Sequence, residues 1–202
     1  YKLTTQSVNN RIKRRDNFKP DREIPKRYRA NLADYVRSKY DKGHLAPYAA
    51  MDFNGKSADQ SFLLSNMSPQ KPGLNRQAWA QLESYVRFWG GYKSIVYVYT
   101  GPIMGGNPKT IGRGVAVPNN FYKIIYAPKQ QEAIAFEMPN KRISKKKVSD
   151  YRVSIKLIEN QTGLMFLSGL SGNTRQRLVN NTSKMWRTSL SKKNERKWRH
   201  SR

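Results

Sequence analysis

A histidine and a row of residues at helical spacing are the side chains in this sequence best suited to chemistry. His44 lies between Gly43, which permits a close backbone approach, and Pro47, which restrains the chain just beyond it. A histidine has an ordinary pKa of about 6.5, near neutral pH, so His44 is a candidate functional residue. A lone histidine is more often structural, and the downstream residues must decide its role.

Downstream, one row of residues recurs at every fourth position: Asn75, Trp79, Glu83 and Arg87. Four residues turn an α-helix by about 400°, so the row stays on one side of a helix. Each member has a structural explanation of its own, with Asn75 as a helix N-cap and Glu83 with Arg87 as a surface ion pair. Their joint occurrence after a glycine–histidine element favours a functional site.

The charge of the chain indicates a polyanionic partner. Among 202 residues, 39 Lys and Arg stand against 13 Asp and Glu, which gives a net charge of +26. Such an excess supplies phosphate affinity but does not distinguish binding from cleavage. The absence of cysteine excludes disulfide frameworks, thiolate nucleophiles and cysteine-based zinc sites. At 37% hydrophobic residues the chain is too apolar for wholesale disorder, and it holds no apolar run long enough to span a membrane.

The elements that must position these residues alternate without a βαβ rhythm. A helix is predicted from residue 75 to 89, closed by Gly90 and Gly91, and a short helix or turn within 31–40. Strands are predicted at 61–65, 94–100, 115–117, 121–126 and 133–136, whereas 150–159 could form either a helix or a strand. The predicted fold class is α+β, with a mainly antiparallel central sheet flanked by helices.

Two regions differ in composition from this core. We expect one domain over residues 1–171, including a basic and irregular N-terminal segment over 1–29, followed by a basic C-terminal tail over 172–202. His200 lies in that tail, and we expect it to be a solvated residue without a functional role. Residues 141–147 hold five basic residues in seven and predict an exposed loop. Solvated surface and phosphate-holding surface are equally good interpretations of the loop and the tail.

Several linked motifs resemble a known family. The run from Asp41 to Pro47 resembles the Asp-Arg-Gly-His-x-x-Pro signature of the DNA/RNA non-specific endonucleases, the ββα-metal enzymes that include the Serratia nuclease and endonuclease G. The likeness covers about residues 18–168. Its further matching segments are Asp34–Tyr35, Phe62–Gln70, Leu74–Asn75, Trp79, Leu82–Glu83, Arg87, Thr100–Pro102, Val117–Pro118, Phe121–Lys123 and Glu159–Leu164.

This resemblance implies a ββα-metal site and a Mg²⁺-dependent endonuclease that hydrolyses DNA and RNA to products with 5′-phosphates. It makes His44 the general base and Asn75 the one direct protein ligand to Mg²⁺, for which Mn²⁺ is an expected substitute. Glu83 would act on the metal through water, and Arg87 would neutralise charge on the phosphate. Asn66 would help to orient the scissile phosphate or the base. Because no acidic pair with two-metal spacing lies near these motifs, a one-metal mechanism is predicted.

Lys42 departs from the family pattern, which has arginine there. Lysine keeps the charge but loses the bidentate grip on phosphate, so Lys42 is a candidate phosphate contact with altered geometry. A nucleic-acid-binding protein that retains the nuclease fold with weak or no activity is the alternative function. A sequence-specific ββα nuclease is a second rival, disfavoured because the segments between the motifs are short.

The expected partners are DNA and RNA, and a protein inhibitor is a further candidate. The sequence does not specify an oligomeric state. A non-specific nuclease would damage its own genome, so a secreted or periplasmic location in a bacterium is expected.

Overall fold

The computed structural model describes residues 1–9 and 11–190, and it confirms the α+β class. The strands are β1 Lys2–Thr4, β2 Asp41–His44, β3 Met67–Gln70, β4 Ile95–Ile103, β5 Thr110–Ile111, β6 Val115–Ala116, β7 Asn120–Ala127, β8 Glu132–Pro139 and β9 Arg152–Val153. The α-helices are α1 Leu32–Tyr35, α2 Tyr48–Met51, α3 Gly55–Ser61, α4 Ala80–Tyr92, α5 Ile155–Thr162 and α6 Gly172–Asn180. Three 3₁₀ helices and one π-helical segment complete the elements: Lys26–Tyr28, Leu64–Asn66, Lys145–Tyr151 and Leu74–Trp79.

A five-stranded antiparallel sheet in the order β1-β4-β7-β8-β9 forms the centre of the fold. Its central strand β7 serves two cores, because successive side chains of a strand point to opposite faces. Phe121 and Ile125 pack in one core with Trp89 of α4, and Ile124 packs in the other with Ile158 of α5. Each fully buried large apolar side chain contributes roughly 1.5–3 kcal/mol. The sheet therefore anchors α4, the helix that carries Glu83 and Arg87.

The glycine pair at residues 90 and 91 does not end the helix, contrary to the sequence prediction. Helix α4 continues to Tyr92, with both glycines inside it and buried. An added Cβ at Gly90 would lie only 2.8 Å from the Cβ of Leu3 on β1. The missing side chain thus lets β1 approach the helix closely, and this packing role produced the false stop signal.

The segment at residues 61–65 is not a strand, and that prediction was wrong. Helix α3 ends at Ser61 and the 3₁₀ helix begins at Leu64. Phe62 and Leu64 are both buried, the first against Tyr48 and the second against Met67. Their alternation therefore reflects packing into two small clusters and not a pleated backbone.

Most of the other predicted elements are confirmed. Strands β4, β6, β7 and β8 lie where strands were expected, and the segment 31–40 contains the short helix α1. Residues 150–159, left open between helix and strand, supply β9 and the start of α5. Lys145, Lys146 and Lys147 are exposed, as expected for the basic loop, and they begin a 3₁₀ helix. None of the helices in the described ranges has the length and apolar character that a membrane crossing requires.

Part of the expected basic tail packs on the core. In α6, Leu178 and Val179 are buried in the core that contains Ile124. Farther along, the Trp186 ring meets the Trp89 ring edge-on with centroids 5.2 Å apart, and the Trp89 indole N–H donates to the Arg187 carbonyl at 2.8 Å. Residues 191–202, including His200, lie outside the described residues. The domain boundary at 171 stays a prediction.

Candidate active site

Two paired strands followed by a long helix carry the predicted site residues. Strands β2 and β3 are antiparallel, with His44 opposite Met67 and Gly43 opposite Ser68. The buried Gln70 side chain crosses over Gly43, and an added Cβ there would lie 2.6 Å from the Gln70 Cβ. Glycine is therefore required beside the histidine, because the Gln70 side chain occupies the space that a side chain at position 43 would need.

One surface pocket brings four of the six predicted site residues together: Lys42, His44, Asn75 and Glu83. Its remaining lining residues are Arg14, Phe18, Asp41, Pro47, Tyr48, Ala49 and Arg76. Arg87 and Asn66 are outside this lining. Arg87 follows Glu83 by one turn of α4, and Asn66 hydrogen-bonds the backbone of Ala46, two residues after His44. A larger pocket elsewhere, between the 19–31 segment and α3, contains none of the six.

His44 sits among aromatic rings with one nitrogen enclosed. The rings of Phe18 and Phe62 lie 5.7 and 5.8 Å from the imidazole, centroid to centroid. The buried Nε2 atom has no hydrogen-bond partner among the residues that the structure describes. Loss of hydration and, to a smaller extent, the nearby charge of Arg14 lower the pKa of His44 to about 4, and the charge of Asp16 opposes this change. The imidazole is therefore neutral at physiological pH.

We expect His44 to titrate at about pH 4 in a two-dimensional NMR pH series, well below the ordinary histidine value of about 6.5. His44 binds a proton more readily in the unfolded chain than in the folded one. The contribution of the buried neutral ring to the free energy of unfolding is therefore fully present above about pH 6.5, and it is lost as the pH falls from there toward 4. His44→Ala assigns the resonance, and a His44 midpoint above pH 6 would show that the ring is hydrated.

Asn75 is oriented by a carboxylate. It lies in the π-helical segment, whose N-cap position is Gly73, so Asn75 is not the helix cap that it could have been. Its Nδ2 donates to Asp41 at 2.9 Å, which leaves the side-chain oxygen Oδ1 directed to other partners. Irregular π-helical turns are common at functional sites because they redirect side chains. Here the turn places Asn75 in the pocket lining, and Asp41 fixes its amide nitrogen.

Asp41 is held in its ionised form. Arg76 grips both of its oxygens, at 2.9 Å from Nε and 2.7 Å from Nη2. Burial acts to raise the pKa of Asp41, but hydrogen bonds from Arg76 and Asn75 and the charges of Arg76 and Lys42 outweigh it. The net effect lowers the pKa. Asp41 is thus a fixed acceptor for Asn75 across the neutral range.

Glu83 faces the pocket without a close ionic partner. Part of the residue reaches solvent, but protein surrounds the carboxyl group, and this burial raises its pKa. The charges of Lys123 and Arg87 oppose this rise in pKa. The Trp79 indole N–H also opposes it, although it forms no hydrogen bond within the described residues. Within the described ranges, Glu83 and Arg87 do not reach ion-pair distance, so the surface ion pair considered for them does not form.

Asn66 acts on the backbone that follows His44. Its Oδ1 accepts from the Ala46 N–H at 3.0 Å, and its Nδ2 donates to the carbonyls of Ala46 at 2.8 Å and Ser61 at 2.9 Å. The Asn66 carbonyl also accepts from the Leu45 N–H at 2.9 Å. These bonds restrain the turn between His44 and Pro47, so Asn66 fixes the backbone that directly follows the histidine.

Lys42 belongs to the pocket and stacks on an aromatic ring. Its Nζ lies 4.9 Å from the Phe18 ring centroid and 6.0 Å from that of Tyr35. Phe18 thus touches both Lys42 and His44, and it enters from the irregular N-terminal segment. A cation over a ring face is attracted to it, which holds the Lys42 ammonium beside the histidine.

Sequence reasoning gave no role to four residues that line this pocket, Arg14, Phe18, Asp41 and Arg76, nor to Lys123, which is buried behind it. Asp41 stood within the glycine–histidine signature, and Lys123 stood within a matching segment, so a signal existed for both. For Arg14 and Phe18 the sequence carried only a basic, irregular stretch. Their placement depends on contacts between distant parts of the chain.

The fold and the pocket place the protein in the class of α+β proteins whose site is a strand pair followed by a polar helix. Residues 1–173 match the family described as DNA/RNA non-specific endonuclease. The chain is 38% identical over 179 residues to a nuclease of Syncephalastrum racemosum, covering 77% of this chain and 56% of that protein. It is 36% identical over 206 residues to the mitochondrial nuclease of Saccharomyces cerevisiae, covering 87% and 61%. The chain belongs to the DNA/RNA non-specific endonuclease family.

A solved structure agrees with this assignment. A chain of the EndoG/EndoGI complex, described as showing the mechanism of EndoG inhibition, superposes with a TM-score of 0.77 at 34% identity. The match covers 84% of this chain and 77% of that one. The present chain spans roughly three fifths of the length of the two nucleases above, 56% and 61%.

Proposed function

We propose that this protein is an endonuclease that hydrolyses phosphodiester bonds of DNA and RNA without sequence specificity. The observation that carries the proposal is the neutral, enclosed His44 in one basic pocket with Asn75 and Glu83. Membership of the non-specific endonuclease family supports it. Contacts to the phosphate backbone position a substrate without reading its bases, which suits an enzyme indifferent to sequence and sugar.

His44 is the general base of the proposed reaction. Since Nε2 is enclosed, Nδ1 is the ring nitrogen that takes a proton from water as the water oxygen attacks phosphorus. The bond from phosphorus to the 3′ oxygen breaks, and the departing oxygen takes a proton from solvent. The products carry 5′-phosphates. A pKa of about 4 keeps the base unprotonated and ready at neutral pH.

The pocket fits a hard divalent cation, and we propose Mg²⁺, with Mn²⁺ as a substitute. Asp41 holds the Asn75 nitrogen, which leaves Oδ1 as a direct oxygen ligand, and Glu83 would hold the ion through water. Within the described residues, no three His, Cys, Asp or Glu side chains group as a metal site. An ion here would keep several waters, as Mg²⁺ prefers. When bound, it would supply stabilisation of negative charge on the phosphate.

Positive side chains complete the proposed site. Lys42 and Arg14 line the pocket, and Arg87 lies one turn beyond Glu83. They would attract the phosphate and offset the charge that develops during attack. Lys42 holds the position that the family gives to arginine and, with a point charge, would contact a single phosphate oxygen.

The alternative of a binding protein without activity is disfavoured by the ordered pocket. A chain that only binds nucleic acid has no need of a neutral histidine with its nitrogen enclosed, nor of an asparagine fixed by Asp41.

A non-specific nuclease must be kept from its own genome. Export, as in a secreted or periplasmic enzyme, would achieve this, and so would the mitochondrial compartment for which the yeast relative is named. A protein inhibitor, as in the EndoG/EndoGI complex, is a third route.

The test is digestion of supercoiled plasmid and of a long RNA, with Mg²⁺, with EDTA, and with EDTA followed by excess Mg²⁺. We expect cleavage of both substrates, its loss in EDTA and its return with Mg²⁺. The fragments should accept label from polynucleotide kinase only after phosphatase treatment, since their 5′ ends already carry phosphate. Tight binding with intact substrate under all conditions would support the inactive binding protein instead.

A further inference from the structure

Lys123 is a completely buried lysine for which the proposed mechanism has no use. It lies on the central strand β7, and its exposed fraction is 0%. Lysine is almost never fully buried without compensating partners, because removing an ammonium group from water is costly. A buried lysine in the middle of the main sheet therefore needs an explanation from its contacts.

Those contacts lead to the active site. The Lys123 Nζ donates to the Thr100 hydroxyl at 3.2 Å and to the Leu45 carbonyl at 3.4 Å, and it lies 4.6 Å from the Trp79 ring centroid. Leu45 directly follows His44. Trp79 precedes Glu83 by four residues, one turn of helix.

These contacts join three parts of the molecule at one atom. The Leu45 carbonyl belongs to the turn after β2, the Trp79 ring belongs to the helical segment before α4, and Thr100 lies on β4, the strand that pairs with β7. One ammonium group thus holds the histidine-bearing strand and the glutamate-bearing helix at a fixed distance from the sheet. Its charge also lies near enough to Glu83 to favour the carboxylate.

We propose that Lys123 is a positioning residue that sets the placement of His44 relative to Asn75 and Glu83. It touches neither the substrate nor the pocket lining, and it acts through the Leu45 carbonyl and the Trp79 ring. The inference rests on the proposed nuclease function for its kinetic test, whereas its structural test does not. The competing explanation is that Lys123 only stabilises the core.

The experiment compares Lys123→Met with Lys93→Met, a matched control. Lys93 is 8% exposed, pairs with Glu132 at 2.7 Å and lies 4.3 Å from the Trp186 ring. It follows Glu83 by ten residues, or about 15 Å along the helix. Both substitutions remove a buried ammonium group and keep an unbranched chain. Thr100→Val removes one Lys123 partner with little change of volume and decides the question if Lys123→Met does not fold.

We expect Lys123→Met to lower kcat by about 10–100-fold with KM changed less than about threefold, the scale of losses from supporting residues behind a site. Thr100→Val should show a smaller loss in the same direction, and Lys93→Met should keep kcat. The His44 ring signals in NMR should shift in Lys123→Met and not in Lys93→Met. This readout needs no activity, so a wild-type protein without cleavage would overturn the nuclease proposal alone.

Two results would overturn the role of Lys123. The first is an unmoved His44 resonance in a folded Lys123→Met protein, or in Thr100→Val if the first variant does not fold. The second is a kcat equal to that of Lys93→Met in an active enzyme. Either result would make Lys123 a core residue only.

Discussion

Replacing His44 with alanine should lower the rate of DNA and RNA cleavage by about 10²–10⁴-fold, the usual contribution of a general base. No other histidine of the described residues can substitute for His44. The pocket carboxylate of Asp41 cannot act as the base in its place, because Arg76 and Asn75 bind it. The fold should survive, because His44 is a pocket residue and the main cores lie on the two faces of the sheet. Single-turnover cleavage rates measure the loss.

His200→Ala is the matched control, since it removes the chain's only other imidazole. It should cleave at the wild-type rate, and both variants should bind a DNA duplex with wild-type affinity. An His44→Ala protein that cuts within threefold of wild type would exclude His44 as the base. An equal loss in both variants would point to a shared effect on binding.

Replacing Asn75 with alanine should raise the Mg²⁺ concentration needed for half-maximal activity more than Glu83→Gln does. Asn75 is proposed to touch the ion directly, whereas Glu83 acts through water, for which losses of about 10–100-fold are usual. The substitution removes one of the two hydrogen bonds to Asp41 Oδ2, but Arg76 still donates to both oxygens of that carboxylate. Titration of Mg²⁺ against initial rate for each variant gives the comparison.

Gln77→Ala controls for damage to the π-helical segment, because Gln77 is exposed within the same segment. Its Mg²⁺ requirement should match that of the wild type. If Asn75→Ala also kept the wild-type requirement while losing thermal stability, the residue would serve only to fasten the helix to Asp41. A larger effect for Glu83→Gln would reverse the proposed order of contact with the ion.

The sequence predicted which residues share the pocket more completely than it predicted the packing around them. Local spacing was enough to place Asn75 and Glu83 on one side of a helix, and the structure brings them to His44. The contacts that orient them join distant positions: Asn75 to Asp41 across 34 residues and Lys123 to Leu45 across 78. Periodicity in a single segment contains no information about such pairs.

Two errors in the predicted elements have the same physical origin. Gly90 was read as a helix stop because glycine is flexible, yet here it provides room for Leu3. The apolar run through Phe62 and Leu64 predicted a buried strand, yet these side chains pack into two separate clusters. In both cases packing against distant residues explains why the residue is there, and such tertiary contacts override local secondary-structure preference.

The packing of the C-terminal segment has a consequence for the limits of the folding unit. The family match ends at residue 173, at the start of α6. Beyond that point Leu178 and Val179 close one face of the sheet, and Trp186 covers Trp89 on the other. A chain trimmed at the family boundary would therefore expose apolar surface on both sides and become prone to self-association. The contacts that cover the core therefore continue beyond the family match, at least to Arg187.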